Sequence, residues 1–256
     1  MIKHRDWRKI LVILPVLFFR KCDLLMSGGI PNEMPVAEYF LQNIFSGNPS
    51  RQDTNVIIVL FGLFEVIVFN LLFGTHIYHD LYENSVYIFV RVKSRTTWFV
   101  ERARELFWYS GIYNALFLGI TFCLCVFHTE KKIDGIAVRL LVITYILIQL
   151  FAFFTTLLIN ITAIYMGAFK AFMVNYIVLA MFSLWAVEFE SVPILNQFPI
   201  LLKLNPVANI TLQWNDGIGE GLLPVLYFVV LIGIALWLGN RMICGMDISI
   251  NSREYE

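Results

Sequence analysis

Charged residues are scarce in this sequence: they make up 15% of its 256 residues, and 19 Lys and Arg residues balance 19 Asp and Glu residues. Soluble domains carry about 25% charged residues, and nucleic-acid binding needs an excess of positive charge. The composition therefore argues against a soluble domain and against a nucleic-acid partner. Cysteine is scarce too, and because the four cysteines show no C-x-x-C spacing, we expect no disulfide framework.

Motifs for nucleotide and metal chemistry are also missing. No lysine follows a glycine, so the G-K-[ST] of a P-loop is absent, and so are H-E-x-x-H and G-x-S-x-G. One helical face does carry four possible metal ligands: His76, His79, Asp80 and Glu83. We interpret them as a polar stripe at the end of a span, because this spacing is weakly specific for a metal. We therefore predict no catalytic residue, no metal and no cofactor in this chain.

Hydrophobic residues, in contrast, make up 59% of the sequence, and its mean hydropathy is +0.72. About 20 apolar residues in a helix cross the hydrocarbon core of a bilayer. Such runs occupy residues 54–79, 106–129, 140–169, 171–187 and 221–240. The region 140–187 is long enough for two spans, joined by a turn within residues 160–170. The sequence thus predicts an all-α integral membrane protein.

Six transmembrane helices are expected in a single domain, residues 1–256, at about 10–27, 55–78, 105–128, 136–159, 167–187 and 219–241. The first is the weakest, because Arg20 and Asp23 follow ten apolar residues; they can pair at i, i+3 or snorkel outward. A cleaved signal peptide does not fit, since a small-residue cleavage site is missing. Most Lys and Arg residues between spans fall on one side if both termini are cytoplasmic.

The longest connection on that side, residues 80–105, predicts an amphipathic cytoplasmic helix between spans two and three. Tyr82 and Val86 lie on its apolar face, with Asp80 and Glu83 near its start and Arg91 near its end. A basic turn that includes Arg95 follows, and Thr96 or Thr97 is a candidate cap for the next helix. A lipid-facing interfacial helix with basic residues on anionic headgroups is the alternative.

Two outer segments are long and partly apolar. Pro193, Pro199 and Pro206 interrupt residues 188–220, and because proline stops helices, we expect short re-entrant or interfacial helices between spans five and six. Residues 37–45 are expected to form a small interfacial helix.

Glu65 is the one carboxylate deep within a well-defined span. An ionisable group at that depth faces the bundle interior, pairs, or lines a pathway. Two interpretations stay open: Glu65 has a structural role, or it lines the translocation path.

This layout, together with short local motifs, resembles the ABC-2 type permeases, the membrane subunits of bacterial ABC exporters. The motifs are His79-Asp80-Leu81-Tyr82-Glu83, Arg91-Val92-Lys93-Ser94-Arg95 with Trp98, Asn205-Pro206 and Met246-Asp247-Ile248. They are most similar to a Gram-positive branch found beside peptide or antimicrobial export and immunity genes. The glycine common after the acidic residue of the coupling segment is absent.

The resemblance implies a permease dimer, of identical or paralogous subunits, in the bacterial cytoplasmic membrane. Two separate ATPase subunits would hold ATP and Mg²⁺, and the cargo would be a peptide, an antimicrobial or a lipid-like molecule. The implied ATPase-coupling residues are Asp80, Tyr82, Glu83, Val86, Arg91 and Arg95. Arg20 and Asp23 would face the partner permease, and lipid would contact the remaining surface.

Two other functions stay open. One is a membrane binding or sensor subunit without transport. The other is an intramembrane metal-dependent enzyme that uses His76, His79 and Glu65.

Overall fold

The computed structural model describes residues 36–44, 56–82, 94–129, 135–189, 199–210 and 222–246, and also residues 9, 15, 18, 19 and 22. These parts are helical and contain no strand. In chain order the helices are α1 (Val36–Ile44), α2 (Val56–Gly62), α3 (Phe64–Phe73), α4 (Arg95–Thr129), α5 (Gly135–Met166), α6 (Ala168–Glu188), α7 (Pro199–Lys203), α8 (Pro206–Ile210) and α9 (Leu222–Gly245). Residues 76–82, here called the α3 extension, are helical as well.

Four of these helices (α4, α5, α6 and α9) are long and apolar enough to cross a membrane, and α2 with α3 makes a fifth if the bent pair counts as one span. The all-helical, multi-pass architecture predicted from the sequence is confirmed. The count of six spans is not, because most of residues 10–27 lies outside the described residues. Arg20 and Asp23 lie there too.

The second span is broken rather than continuous, which the sequence did not predict. α2 and the segment Phe64–Tyr82 meet at an angle of 54°. A second irregularity follows at Gly74 and Thr75, after which the α3 extension runs to Tyr82. The span therefore consists of three short helical pieces.

The α5–α6 hairpin is the best-predicted connection. A single residue, Gly167, separates the two helices and has a φ of +84°, a conformation that favours glycine because it has no Cβ. This turn falls within the expected window, residues 160–170. Asn160 itself does not belong to the turn, because α5 continues to Met166.

α5 lies at the centre of the bundle and packs against α3, α4, α6 and α9. Aromatic side chains fill these contacts. Phe151 of α5 meets Phe228 of α9 with ring centroids 5.8 Å apart, and Phe73 of α3 stacks on Tyr109 of α4 at 5.2 Å. Burial of such side chains supplies much of the packing energy of a core.

α1 confirms the small helix expected at residues 37–45 but corrects its setting. It packs against α4 and α5, and Phe40 is fully buried with its ring centroid 5.3 Å from that of Phe122. α1 is thus part of the bundle core rather than a helix that lies only on the membrane surface.

The short helices α7 and α8 begin at Pro199 and Pro206, a position where the missing N–H of proline costs nothing. The side chain of Asn205 holds the second one in place. Its Oδ1 accepts a hydrogen bond from Val207 N at 2.9 Å, and its Nδ2 donates to the carbonyl of Phe182 at 2.7 Å. This confirms short helices in the proline-broken segment.

Candidate functional site

Ionic side chains gather where the α3 extension meets α4. Arg102 Nε lies 2.9 Å from Asp80 Oδ2, and Arg102 Nη1 lies 2.6 Å from Glu105 Oε2 on the next turn of α4. His76 Nε2 is 3.8 Å from Glu105 Oε2. We call this group the ionic cluster (His76, Asp80, Arg102 and Glu105). Because Arg102 contacts both carboxylates, it ties the second span to α4.

The position of the cluster follows from the length of α4. Its 35 residues rise about 52 Å at about 1.5 Å each, whereas the hydrocarbon core is about 30 Å thick. All the Asp, Glu, Lys and Arg residues of α4 lie within its first eleven positions. The helix therefore carries the cluster at the end of the bundle where charge meets water, called here the charged end.

Asn160 of α5 explains the irregularity at Gly74 and Thr75. Its side-chain Oδ1 accepts a hydrogen bond from Ile77 N at 2.7 Å, and its Nδ2 donates to the carbonyl of Phe73 at 3.0 Å. In a regular α-helix these two backbone groups bond to each other. The Asn160 amide thus stands between them, as an inserted side chain does at a helix kink.

A second asparagine extends this polar seam in the other direction. Asn70 Oδ1 accepts hydrogen bonds from Thr156 Oγ1 at 2.6 Å and from Thr155 Oγ1 at 3.3 Å. Asn70 and Thr156 are buried, where a polar group without a partner is costly, and the two threonine hydroxyls give Asn70 Oδ1 its partners. Asn70 and Asn160 together fix the register of α3 on α5.

Gly74 allows this close approach. A Cβ at Gly74 would meet the carbonyl oxygen of Asn70, and it would lie 3.0 Å from both Ile159 Cγ2 and Phe172 Cε1. A side chain here would push the second span away from α5 and α6. The glycine and the Asn160 amide therefore act at the same point of the chain.

A separate polar group joins α4 to α5 deeper in the bundle. Gln149 Oε1 accepts hydrogen bonds from Ser110 Oγ at 2.8 Å and Asn114 Nδ2 at 3.1 Å, and its Nε2 donates to the carbonyl of Phe107 at 2.9 Å. These residues were not predicted. Their only sequence signal is that each is polar within an apolar run.

Arg95, a predicted coupling residue, has a defined structural contact. Its Nη1 donates to the carbonyl of Met246 at 2.6 Å and lies 3.4 Å from the carbonyls of Ile243 and Cys244. A cation at a helix C-terminus compensates the negative end of the helix dipole. Arg95 thus links the start of α4 to the end of α9.

Glu65 faces the bundle interior, one of the surroundings expected for it. It is 3% exposed and occupies the first turn of α3, directly after the bend. Its backbone carbonyl accepts a hydrogen bond from Tyr113 Oη at 3.0 Å. This hydrogen bond therefore connects the residue after the bend to α4.

The remaining predicted coupling residues divide into two groups. Asp80 and Tyr82 lie on the α3 extension, where the Tyr82 ring stacks on Tyr78 with centroids 5.7 Å apart. Glu83, Val86 and Arg91 lie outside the described residues. Asp80 and Tyr82 lie on the helix that continues from the second span, and the coupling helix stays a prediction because residues 83–93 lie outside the described residues. The structure also places the start of α4 at Arg95, before both candidate caps.

His76 and Asp80 lie in the ionic cluster, and Glu83 lies outside the described residues. Across the described segments, no three His, Cys, Asp or Glu side chains are placed to hold a metal ion.

No family model matches the chain, and no curated protein or solved structure matches it. The geometry shows a broken second span that two long helices hold near the charged end, α4 through Arg102 and α5 through Asn160.

Proposed function

We propose that this chain is the membrane-spanning permease subunit of a bacterial ABC exporter, driven by separate ATPase subunits that hold ATP and Mg²⁺. The observation that carries the proposal is the broken second span. It leads through Tyr82 into residues 83–93, the segment whose sequence resembles an ATPase-coupling helix. Discontinuous helices form the substrate sites of many secondary transporters.

Coupling in this proposal passes through the ionic cluster. A displacement of residues 83–93 acts on the α3 extension at one end and on α4 at the other. Asp80 and Arg102 keep these two elements together, and Arg95 passes the displacement on to α9. In this proposal the second span flexes at two irregularities, the 54° bend beside Leu63 and the turn at Gly74–Thr75. Glu65, next to the first of them, is the candidate translocation-path residue.

The proposed orientation has both termini in the cytoplasm. Described basic residues collect at the charged end: Arg95, Arg102, Arg104, Lys170 and Arg241. Arg139 and Lys203 lie toward the other end, near the start of α5 and in α7. An excess of Lys and Arg marks the cytoplasmic side of a membrane protein. The partner ATPases then contact the charged end, and Arg20 and Asp23 face a second permease, identical or paralogous.

The first test is purification of the tagged chain from its host membranes in a mild detergent. A P-loop ATPase is expected to co-purify in equal amount. A chain that purifies without an ATPase, or that moves solute at full rate in liposomes without nucleotide, would refute the proposal. The first of these results favours a stand-alone sensor subunit.

The second test measures ATP hydrolysis by the reconstituted complex. Reversal of charge in the coupling segment, by Glu83→Lys with Arg91→Glu, is expected to lower the stimulated rate about tenfold, the effect of losing about 1.4 kcal/mol of contact energy. Arg139→Glu is the matched control, since Arg139 is exposed on α5 toward the other end. Equal rates in the two variants would count against coupling through residues 83–93.

A further inference from the structure

A large cavity of about 1000 Å³ opens at the charged end, between the α3 extension, the α5–α6 hairpin and the end of α9. Small-molecule sites occupy about 300–1,000 Å³, so this cavity holds more than a few waters. Its walls are mostly apolar, with three tyrosines among them: Tyr78, Tyr82 and Tyr165. Two of its lining residues, Tyr82 and Met246, also belong to the proposed coupling contacts.

Two cations project from these walls, Lys170 at the start of α6 and Arg241 near the end of α9. Both side chains are exposed, and neither forms an ion pair with another residue in the described part of the chain. None of the described residues that line the cavity is acidic. The cavity is therefore complementary to an anion.

Helix ends contribute to this field with both signs, because the last turn of α5 lies in the same wall with the negative end of its dipole and no basic residue. α6 begins at Gly167 in the cavity wall without a side-chain cap and without an acidic residue in its first turn. Its first N–H groups carry the positive end of the helix dipole. The opposite effect of the α9 C-terminus is reduced, because Arg95 binds the carbonyls of Ile243, Cys244 and Met246.

Aromatic residues place the opening of the cavity at the membrane surface. The Arg241 guanidinium lies 5.5 Å from the ring centroid of Trp237, which is 58% exposed. Tyr165 and Phe169, on either side of Gly167, are 79% and 77% exposed. Exposed tryptophan and tyrosine collect at the headgroup level of a bilayer, and basic pockets between spanning helices bind acidic lipid headgroups.

We propose that this cavity binds the phosphate headgroup of an anionic phospholipid from the adjoining leaflet, with Lys170 and Arg241 as its charge partners. The acyl chains then lie along the exposed apolar faces of α6 and α9. The assignment does not depend on ATP-driven transport. It predicts a bound lipid at the joint between the second span and the α5–α6 hairpin.

The test is lipid binding to the purified full chain, followed by native mass spectrometry in a neutral detergent. Dioleoyl phosphatidylglycerol is titrated against dioleoyl phosphatidylcholine and against inorganic phosphate. Lys170→Gln with Arg241→Gln is expected to weaken phosphatidylglycerol binding about thirtyfold, or about fivefold for each cation. The control, Arg139→Gln with Lys203→Gln, removes two cations elsewhere and is expected to change binding less than twofold, about the precision of such a titration.

Three results would overturn the proposal. They are an unchanged affinity in the Lys170 and Arg241 variant, an equal loss in the control, and inorganic phosphate binding as tightly as the lipid. A photolabelling experiment uses the unaltered chain, so its result does not depend on whether a variant folds. A photoactivatable phosphatidylglycerol is expected to label peptides around Tyr78–Tyr82 or Tyr165–Lys170, and labelling confined to other peptides would contradict the site.

Discussion

Replacement of Asn160 by leucine tests whether its amide stabilises the irregularity of the second span at Gly74 and Thr75. The substitution keeps the number and branching of the side-chain heavy atoms but removes both hydrogen bonds to the second span. Ile77 N and the carbonyl of Phe73 then lose the partners they have at 2.7 and 3.0 Å. Asn160 is fully buried, so water does not readily replace it.

The magnitude follows from the two backbone groups. A buried polar group left without a partner costs about 1–3 kcal/mol, which sets a range of about 2–6 kcal/mol for the pair. Side-chain hydrogen bonds in membrane proteins average only about 0.6 kcal/mol, because the unfolded state also finds partners. We expect Asn160→Leu to lower the free energy of unfolding by about 2–4 kcal/mol, between these limits.

Asn175→Leu is the matched control. Asn175 Nδ2 donates to Thr162 Oγ1 at 2.7 Å and to the carbonyl of Ala171 at 2.8 Å, so no backbone N–H depends on it. Its replacement is expected to cost about 0.6 kcal/mol. Both variants are unfolded reversibly with sodium dodecyl sulfate in mixed micelles and followed by circular dichroism. If Asn160→Leu costs no more than Asn175→Leu, the role given to the Asn160 amide is wrong.

Two further predictions concern packing and charge. Gly239→Ala places a Cβ 2.5 Å from Phe99 Cζ, whereas Gly233→Ala on the same helix meets nothing within 4 Å. Overpacking costs about 1–3 kcal/mol. Alanine stabilises a helix by about 1 kcal/mol relative to glycine, and this gain applies at both positions. Gly239→Ala is therefore expected to be about 2 kcal/mol less stable than Gly233→Ala in the same unfolding assay, and equal stabilities would refute the close contact. For the ion pair, a double-mutant cycle of Asp80→Asn and Arg102→Gln is expected to give a coupling energy of about 1–2 kcal/mol, because the pair is neither exposed nor fully buried. A coupling energy near zero would remove the proposed tie between the second span and α4.

The helical, multi-pass architecture could be predicted because it depends on local quantities. Runs of about 20 apolar residues reveal the spans, and prolines mark the starts of α7 and α8. The turn at Gly167 was predicted within a window, from the polar interruptions on either side of it. Such features require only neighbouring residues in the chain, which a single sequence contains.

The irregularity at Gly74 and Thr75 could not be predicted in the same way. Residues 54–79 contain no proline, and Gly74 alone is compatible with a helix interior. The group that interrupts the helix comes from Asn160, 83 positions from Ile77. Asn160 was instead assigned to a turn, because a lone polar residue within an apolar run is also typical of a turn. Polarity reveals that such a residue needs a partner, but not where that partner lies.

The one-residue connection between α5 and α6 has a consequence for biosynthesis. A separator this short leaves no hydrophilic stretch on which a nascent chain could pause with one helix inserted and the next still outside. We therefore expect the two helices to enter the bilayer as a pair, with their relative directions already set. Substitutions that reverse the flanking charges are then expected to invert both helices or neither, and never one of them alone.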